Sequence, residues 1–286
     1  MNAALAHRTE TPAWRPDRVR LADGRLHLHQ GPIDLVIEAE GSAGEVARAY
    51  EQAAERFENV LPTLVSELPE LRLPVPATSR GFAGPVARRM EAACWPHRKT
   101  FITPMAAVAG AVADEILEAM TRSRRLRRAY VNNGGDIAVH LEDDASFRIG
   151  VAGIEDAHLH GHALIRAIDP WRGIATSGWR GRSHSLGIAD SVTVIARTAA
   201  AADAAATLVA NAVDVDHPSV HRRPANEVRD DTDLGTRLVT VGVDRLPADA
   251  ASLALDNGTA CARRMLDAGL IGAAYLRLQG MARVCE

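Results

Sequence analysis

Asp203, Thr207 and Asn211 recur every four positions in TAAAADAAATLVANAV, so on a helix they make one polar stripe along an otherwise apolar cylinder. A carboxylate and a hydroxyl one turn apart can hold a hard cation such as Mg²⁺, with substrate phosphate and water completing its oxygen shell. A helix with one solvated side carries the same stripe, and that is the competing reading. A second group lies in ATSGWRGRSHSLGIADSVTV, residues 175 to 194. Gly178, Gly181 and Gly187 leave backbone amides able to face an anion, Arg180 and Arg182 bring forked donors for phosphate oxygens, and His184 adds another donor. The stretch matches no P-loop or dinucleotide fingerprint, so a flexible basic loop competes with it. The third place is AYVNNGGDIAV, residues 129 to 139. Asn-Gly between apolar runs signals a hairpin. Five polar or bare residues are nevertheless more than a two-residue turn needs, and bare backbone allows close approach.

Composition limits what these groups can serve. A chain of 286 residues with 47% hydrophobic and 24% charged residues has ordinary globular composition and can bury a large core. The formal net charge of −3 gives no global attraction to nucleic acid or to anionic membrane, so neither partner is expected. Cys94, Cys261 and Cys285 have no metal-type or redox-type spacing and cannot all pair, which fits a reducing compartment. The first residues, MNAALAHRTETPAWRPDR, lack the long apolar region of a signal peptide, and no run approaches a membrane span. A cytoplasmic location is the resulting expectation. The histidines of HLHGH (His158, His160, His162) find no fourth zinc ligand nearby and read as a solvated hairpin, as do His27 and His29. The arginines of RSRRLRRAY follow a buried helix, where cations suit its negative end, and lack the interleaved aromatics of a nucleic-acid surface. Cys94 beside WPHRK suggests a thiol of lowered pKa; ordinary burial is the simpler reading.

The elements that must position these groups are legible as periodicities. RVRLADGRLHLHQGPIDLVIEAE alternates, predicting two or three antiparallel strands after a loose N-terminal tail, about residues 1–16, of a single domain. Val46, Tyr50, Ala54, Phe57, Leu61 and Leu64 predict one helix over 42–66, with Pro62 ending or kinking its last turn. Residues 67–85 read as extended linker, 85–94 as a short helix, and TFITPMAAVAGAVADEILEAM as a buried helix with Thr103 as cap and Pro104 in the first turn. Strands are expected near 128–131, 136–142, 146–152, 162–168, 191–196, 237–243 and 271–279, with helices at 198–213 and 247–267. The mixture predicts an α+β fold, antiparallel sheet packed around buried alanine-rich helices.

The order of the PMAAVAGAVAD helix, NNGGD, ATSG, the VTVIA strand and the ADAAAT helix resembles the ApbE-like family of FAD:protein FMN transferases. ITPMAAVAGAVAD, GRSHSLGIADSVTV, ADAAATLVAN and DTDLG are more similar still to an uncharacterised branch of that family. The resemblance implies an ApbE-like fold and Mg²⁺-assisted cleavage of the FAD pyrophosphate, with FMN passed to a threonine or serine of an acceptor protein. It implies that Asp203 and Thr207 hold magnesium, that Gly134, Gly135 and Asp136 lie against the flavin, and that Thr176, Ser177 and Gly178 precede the nucleotide-facing loop. Asp114 would support the metal or orient water, while Arg180, Arg182 and His184 would meet phosphate. Two departures stand out. The transferases carry a lysine where this chain has Ala109, and their histidine leads into Asp-Pro-x-x-Gly where His184 is followed by Ser185, Leu186, Gly187 and Ile188. A non-transferring protein that keeps the pocket is therefore the alternative.

Overall fold

The computed structural model describes residues 15–152 and 159–286. Most of the tail expected over 1–16, and His158 of HLHGH, lie outside these residues. The alternating N-terminal segment forms β1 (Asp17–Arg20), β2 (Leu26–Gln30) and β3 (Ile33–Gly41), paired antiparallel. The helix expected over 42–66 is instead two: α1 (Ala43–Phe57) and α2 (Val60–Leu71), separated at Glu58 and Asn59. Pro62 is the third residue of α2, where an amide has no intrahelical partner to lose, so it opens a helix rather than ending one. Residues 67–71, expected as linker, are helical despite Pro69 because the turn carries Leu71 into the core, where it is fully buried.

α3 (Pro85–Cys94) starts on its proline as expected. A 3₁₀ turn over Pro104–Ala107 precedes α4 (Val108–Thr121), and Thr103, expected as a cap, instead donates its hydroxyl proton to Asp233. The chain continues through β4 (Leu126–Asn133), β5 (Asp136–Leu141), β6 (Ser146–Ala152), β7 (Leu159–Arg166), β8 (Gly173–Ser177), β9 (Ser191–Ala196) and α5 (Ala199–Ala212). It ends with β10 (Val220–Pro224), the one-turn α6 (Ala225–Val228), β11 (Leu238–Val243), α7 (Ala248–Asp267), β12 (Ile271–Leu278) and β13 (Met281–Cys285).

Nine strands make one antiparallel sheet in the order β1-β2-β3-β4-β5-β8-β9-β12-β13, with β6-β7 and β10-β11 as separate ribbons. The period of two sorts its centre onto two faces. Ala129, Val131, Ala138, Ala175 and Val194 turn toward the helices, while Tyr130, Ile137, Val139, Ile174 and Ile195 join Phe147, Ile149 and Ile165 of the β6-β7 ribbon. On the helical face α1, α4, α5 and α7 lie side by side, with α3 packed on α4 and α5. The small side chains of AGAVAD and ADAAAT permit this, because alanine lets neighbouring helices and sheet approach closely. The expected α+β class, antiparallel sheet against buried alanine-rich helices, is the fold observed.

Candidate functional site

The site is organised by the starts of α4 and α5, each of which binds a carboxylate carried by the other helix. Asp114 of α4 accepts hydrogen bonds from the amides of Ala199 (3.0 Å) and Ala200 (2.9 Å) at the start of α5. In return Asp203 of α5 accepts from the Gly110 amide (3.0 Å) near the start of α4. Each carboxylate thus satisfies donors that a helix start leaves unpaired, and faces the positive end of that helix. The exchange requires near contact of main chains. A Cβ on Gly110 would stand 2.3 Å from the Ala199 oxygen, and one on Gly173 of β8 would stand 2.0 Å from the Thr198 carbonyl carbon.

The β4–β5 connection is a two-residue turn, with Asn133 opposite Asp136 and Gly134 and Gly135 at φ +64° and +112°. The hairpin reading is therefore right about its geometry. The surrounding polar residues fasten the turn to its neighbours: Asn132 accepts from the Gly135 amide (2.8 Å), and buried Asn133 donates to the Ala109 carbonyl (3.1 Å). Asp136 Oδ1 accepts from the Thr176 amide (3.2 Å), and the Thr176 hydroxyl meets that of Thr193 at 2.9 Å. The Gly-Gly-Asp and Thr-Ser-Gly elements are thus brought together, with Ser177 half-buried beside Thr176.

Asp136 and Asp203 form the electrostatic centre. Burial pushes the Asp203 carboxyl well above the usual carboxylate range and the charge of Asp136 adds to this, opposed by the amides of Gly110 and Ala109. Burial likewise raises Asp136, opposed by the Thr176 amide and then by the Arg182 guanidinium. Asp114 is raised to about 6 by burial, against its two helix amides, the charge of Arg89 and the Thr198 hydroxyl. Carboxylates that resist ionisation within one another's field are stabilised by a shared proton or by a cation. The donors suit a hard ion because they are oxygens, and Thr207, half-buried one turn along from Asp203, adds a neutral one. Among the described residues no group of three or more His, Cys, Asp or Glu is arranged to hold a metal, so a cation here needs ligand oxygens or water as well.

The polar stripe of α5 is not a solvated face. Asp203 binds α4, Asn211 accepts from the Leu186 amide (2.9 Å) and the Ser185 hydroxyl (3.2 Å), and Thr207 lies half-buried between them. Nor does the basic loop hang free. Arg180 is paired with buried Asp190 (2.9 Å) and stacks on Trp179, 4.5 Å from the ring centroid. Gly178 lets the loop fold back, since a Cβ would stand 2.5 Å from the Asp190 oxygen. The Gly181 and Gly187 amides bond the Gly178 carbonyl and the Ser185 hydroxyl, so neither faces an anion. Arg182, by contrast, extends to the β4–β5 turn and leans on Gly134. His184 sits near Arg229 and Asp233; burial first, then the charge of Arg229, holds its pKa below the usual value, with Asp233 acting the other way. Its Nε2 is buried without a hydrogen-bond partner.

Several roles were hidden in the sequence. Asn133 and Asp190 carry no spacing signal, because their partners at Ala109 and Arg180 become meaningful only when the loops fold. Asp233 lies in DTDLG, yet only the structure links it to Thr103. The reactive-thiol idea for Cys94 fails: burial, reinforced by the charges of Asp203 and Glu91, drives the thiol pKa up rather than down. His27 is taken by Asp34 at 2.8 Å, and His162 is exposed. Arg122, Arg124, Arg127 and Arg128 pair with Glu118, Glu45 or Glu40. All three cysteines are unbridged. Among the described residues no helix is long and apolar enough to cross a membrane.

Comparison with known proteins adds the following. A family model described as "AbpE bacteria" matches residues 18–284. A UPF0280 protein of Methanopyrus kandleri is 32% identical over 195 residues, 68% of this chain and 74% of that protein. A UPF0280 protein of Methanothrix thermoacetophila is 39% identical over 138 residues, 47% of this chain and 54% of that one. Among solved structures, the flavinyl transferase ApbE of Pseudomonas stutzeri in its apo form is 13% identical, with 96% of each chain covered and a TM-score of 0.42. The flavin transferase ApbE of Vibrio cholerae is 11% identical, covering 94% of this chain and 97% of that one, also at 0.42.

Proposed function

The chain belongs to the bacterial AbpE family, an ApbE-like branch, and from that premise we propose that it binds a flavin nucleotide with a divalent cation, with FMN transfer from FAD to a protein hydroxyl as its reaction. The observation that carries this reading is the pair of half-buried carboxylates, Asp136 and Asp203, the first bonded to the Thr176 amide and the second to the Gly110 amide, with the charge of Asp136 acting on Asp203 and that of Arg182 on Asp136. Such a pair has a use when positive charge and phosphate oxygens arrive together. Asp203 and Thr207 would hold Mg²⁺, which supplies charge neutralisation at the pyrophosphate. Gly134 and Gly135 leave room for the flavin, Thr176 and Ser177 line its phosphate side, and Arg182 meets the phosphate oxygens. The acceptor hydroxyl oxygen attacks the phosphorus of the FMN half, the bridging P–O bond breaks, and AMP leaves. Burial and then the charge of Arg229 favour the neutral imidazole of His184, which would take the hydroxyl proton.

A second reading, binding without transfer, is favoured by three side chains. Ala109 offers no charge, Arg180 is committed to Asp190, and both oxygens of Asp114 are committed to α5. Loss of one stabilising donor typically costs a transfer reaction about 3 kcal/mol.

Incubation of the protein with FAD and Mg²⁺ tests both, with binding followed by flavin fluorescence and AMP by chromatography. Asp203→Asn keeps an acceptor for the Gly110 amide while removing the charge. Magnesium-dependent binding that is lost in this variant, with AMP released by the parent, supports transfer. Binding without AMP supports the second reading, and binding indifferent to Asp203→Asn overturns the cation site.

A further inference from the structure

The nine-stranded sheet ends in two edges of different character. β1 carries Asp17, Arg18 and Arg20, with Arg18 drawn to Glu51 (2.6 Å), and charge of this density keeps an edge from pairing with another chain. β13 carries Arg283 alone, and that side chain turns onto α7, donating to Ser252 (2.9 Å) and Asp256 (3.2 Å). Among the described residues β13 pairs only with β12. The two-residue turn of Gln279 and Gly280, at φ +47° and +85°, closes this hairpin on Leu278 and Met281. Pairs alternate from there, so Met281, Arg283 and Cys285 bond to β12, whereas the amides and carbonyls of Ala282 and Val284 face outward. The Arg277 carbonyl, opposite Ala282, is accordingly bonded from the far side by the Asp190 amide (2.9 Å). Val284 also brings apolar surface to the edge. It is 63% exposed, on the face away from α7 and opposite half-buried Tyr275.

We propose that β13 is a dimer interface whose partner is a second copy of this chain, paired antiparallel about a two-fold axis at Val284. The partner strand must present outward main-chain groups at every second residue, and β13 of a second copy does so. Two registers meet that requirement. With Arg283 on the axis, two guanidiniums face each other and repel; with Val284 on the axis, valine meets valine and a row of Tyr275 and Val284 runs across both copies. α7 favours the same partner. It packs on β12 and β13, and because β12 runs back along it and β13 reverses again, α7 and β13 point the same way. Its first half carries Asp249 and Asp256, and its second half carries Arg263 and Arg264 before the terminal Asp267. Strands paired antiparallel therefore set the acidic half of each α7 alongside the basic half of the other. The dimer does not depend on the proposed flavin site.

Sedimentation equilibrium of the full chain tests this, with the parent expected at twice the chain mass at about 50 μM. Val284→Pro removes an N–H that β12 does not use, so the hairpin is retained while self-association weakens at least about tenfold. Val284→Cys brings two thiols together on the axis and is expected to give a covalent dimer on mild oxidation, which the parent with its own three cysteines does not form. A parent at monomer mass overturns the proposal, whether the edge is open or covered by another segment of this chain. A dimer that Val284→Pro leaves intact and Val284→Cys fails to cross-link overturns it too, since the copies then meet through another surface. If circular dichroism shows that Val284→Pro does not fold, the cross-link of Val284→Cys decides.

Discussion

Gly110 and Gly173 press on main chain, whereas Gly134 presses on the end of one flexible side chain and Gly135 on nothing within 4 Å. In the sequence nothing about their immediate neighbours separates the four. Their surroundings separate them: the first two close the seam around the start of α5, and the last two open a turn toward solvent and Arg182. A bare position against backbone cannot be filled without moving whole elements, but one against a guanidinium can be filled by displacing a functional group. Glycines that seat main chain and glycines that border a movable side chain are thus distinguished by the neighbour.

Filling the seam should have the largest effect. Gly173→Ala places a methyl inside the Thr198–Ala199 main chain and is expected to cost at least about 3 kcal/mol, read as a lowered thermal midpoint. The acid that holds the same seam sharpens the contrast through pH. Asp114 has its folded-state pKa raised to about 6 from an ordinary 3.8, so between those values the folded protein holds more of its proton than the unfolded chain does. Stability from this group is therefore greatest below about pH 4 and declines as pH rises toward 6, by roughly 2 to 3 kcal/mol. Urea unfolding at pH 4 and pH 7 should show that decline in the parent and a smaller one in Asp114→Asn. A decline of equal size in both would mean that other groups cause it.

On the open side, Gly134→Ala meets a φ of +64°, a strain of about 1–2 kcal/mol, and displaces Arg182. Nucleotide binding should fall about tenfold, beyond what partial unfolding explains, because the phosphate partner has been moved. If binding and stability fall in proportion, Gly134 is only a turn residue. The smallest effect is expected at Gly161 of β7, where among the described residues nothing lies within 4 Å of an added Cβ; Gly161→Ala should stay within about 0.5 kcal/mol of the parent.

Periodicity made most elements of this fold legible. Alternation located β2 and β3, the three–four spacing of apolar residues located the helical stretch of α1 and α2, and helices were legible over the residues of α4, α5 and α7. It failed at β8, β10 and β13, short strands of five residues each in which neither alternation nor length accumulates a signal. Pro62 misled for a different reason, since proline opens helices as readily as it ends them and only Phe57 and Leu71 in the core show where each helix lies. At the site, Asp203, Asp136, Gly134 and Thr176 could be proposed together because an ordered set of motifs carried them. The commitments that divide the arginines could not be foreseen. Arg180 and Arg182 are two positions apart and chemically identical, and only the fold places Asp190 beside one and the glycine turn beside the other.

The exchange of acids between α4 and α5 also bears on how the molecule assembles. The bond between Gly110 and Asp203 spans 93 positions and that between Asp114 and Ala199 spans 85, so both close long loops whose entropy must be overcome before they contribute. The partner's carboxylate reaches the first-turn amides of each helix only when the two have docked. The bond that orients Asp203 therefore depends on the docking of α4 against α5. A nascent or partly folded chain would have no formed cradle for a cation, and binding would report on completed folding.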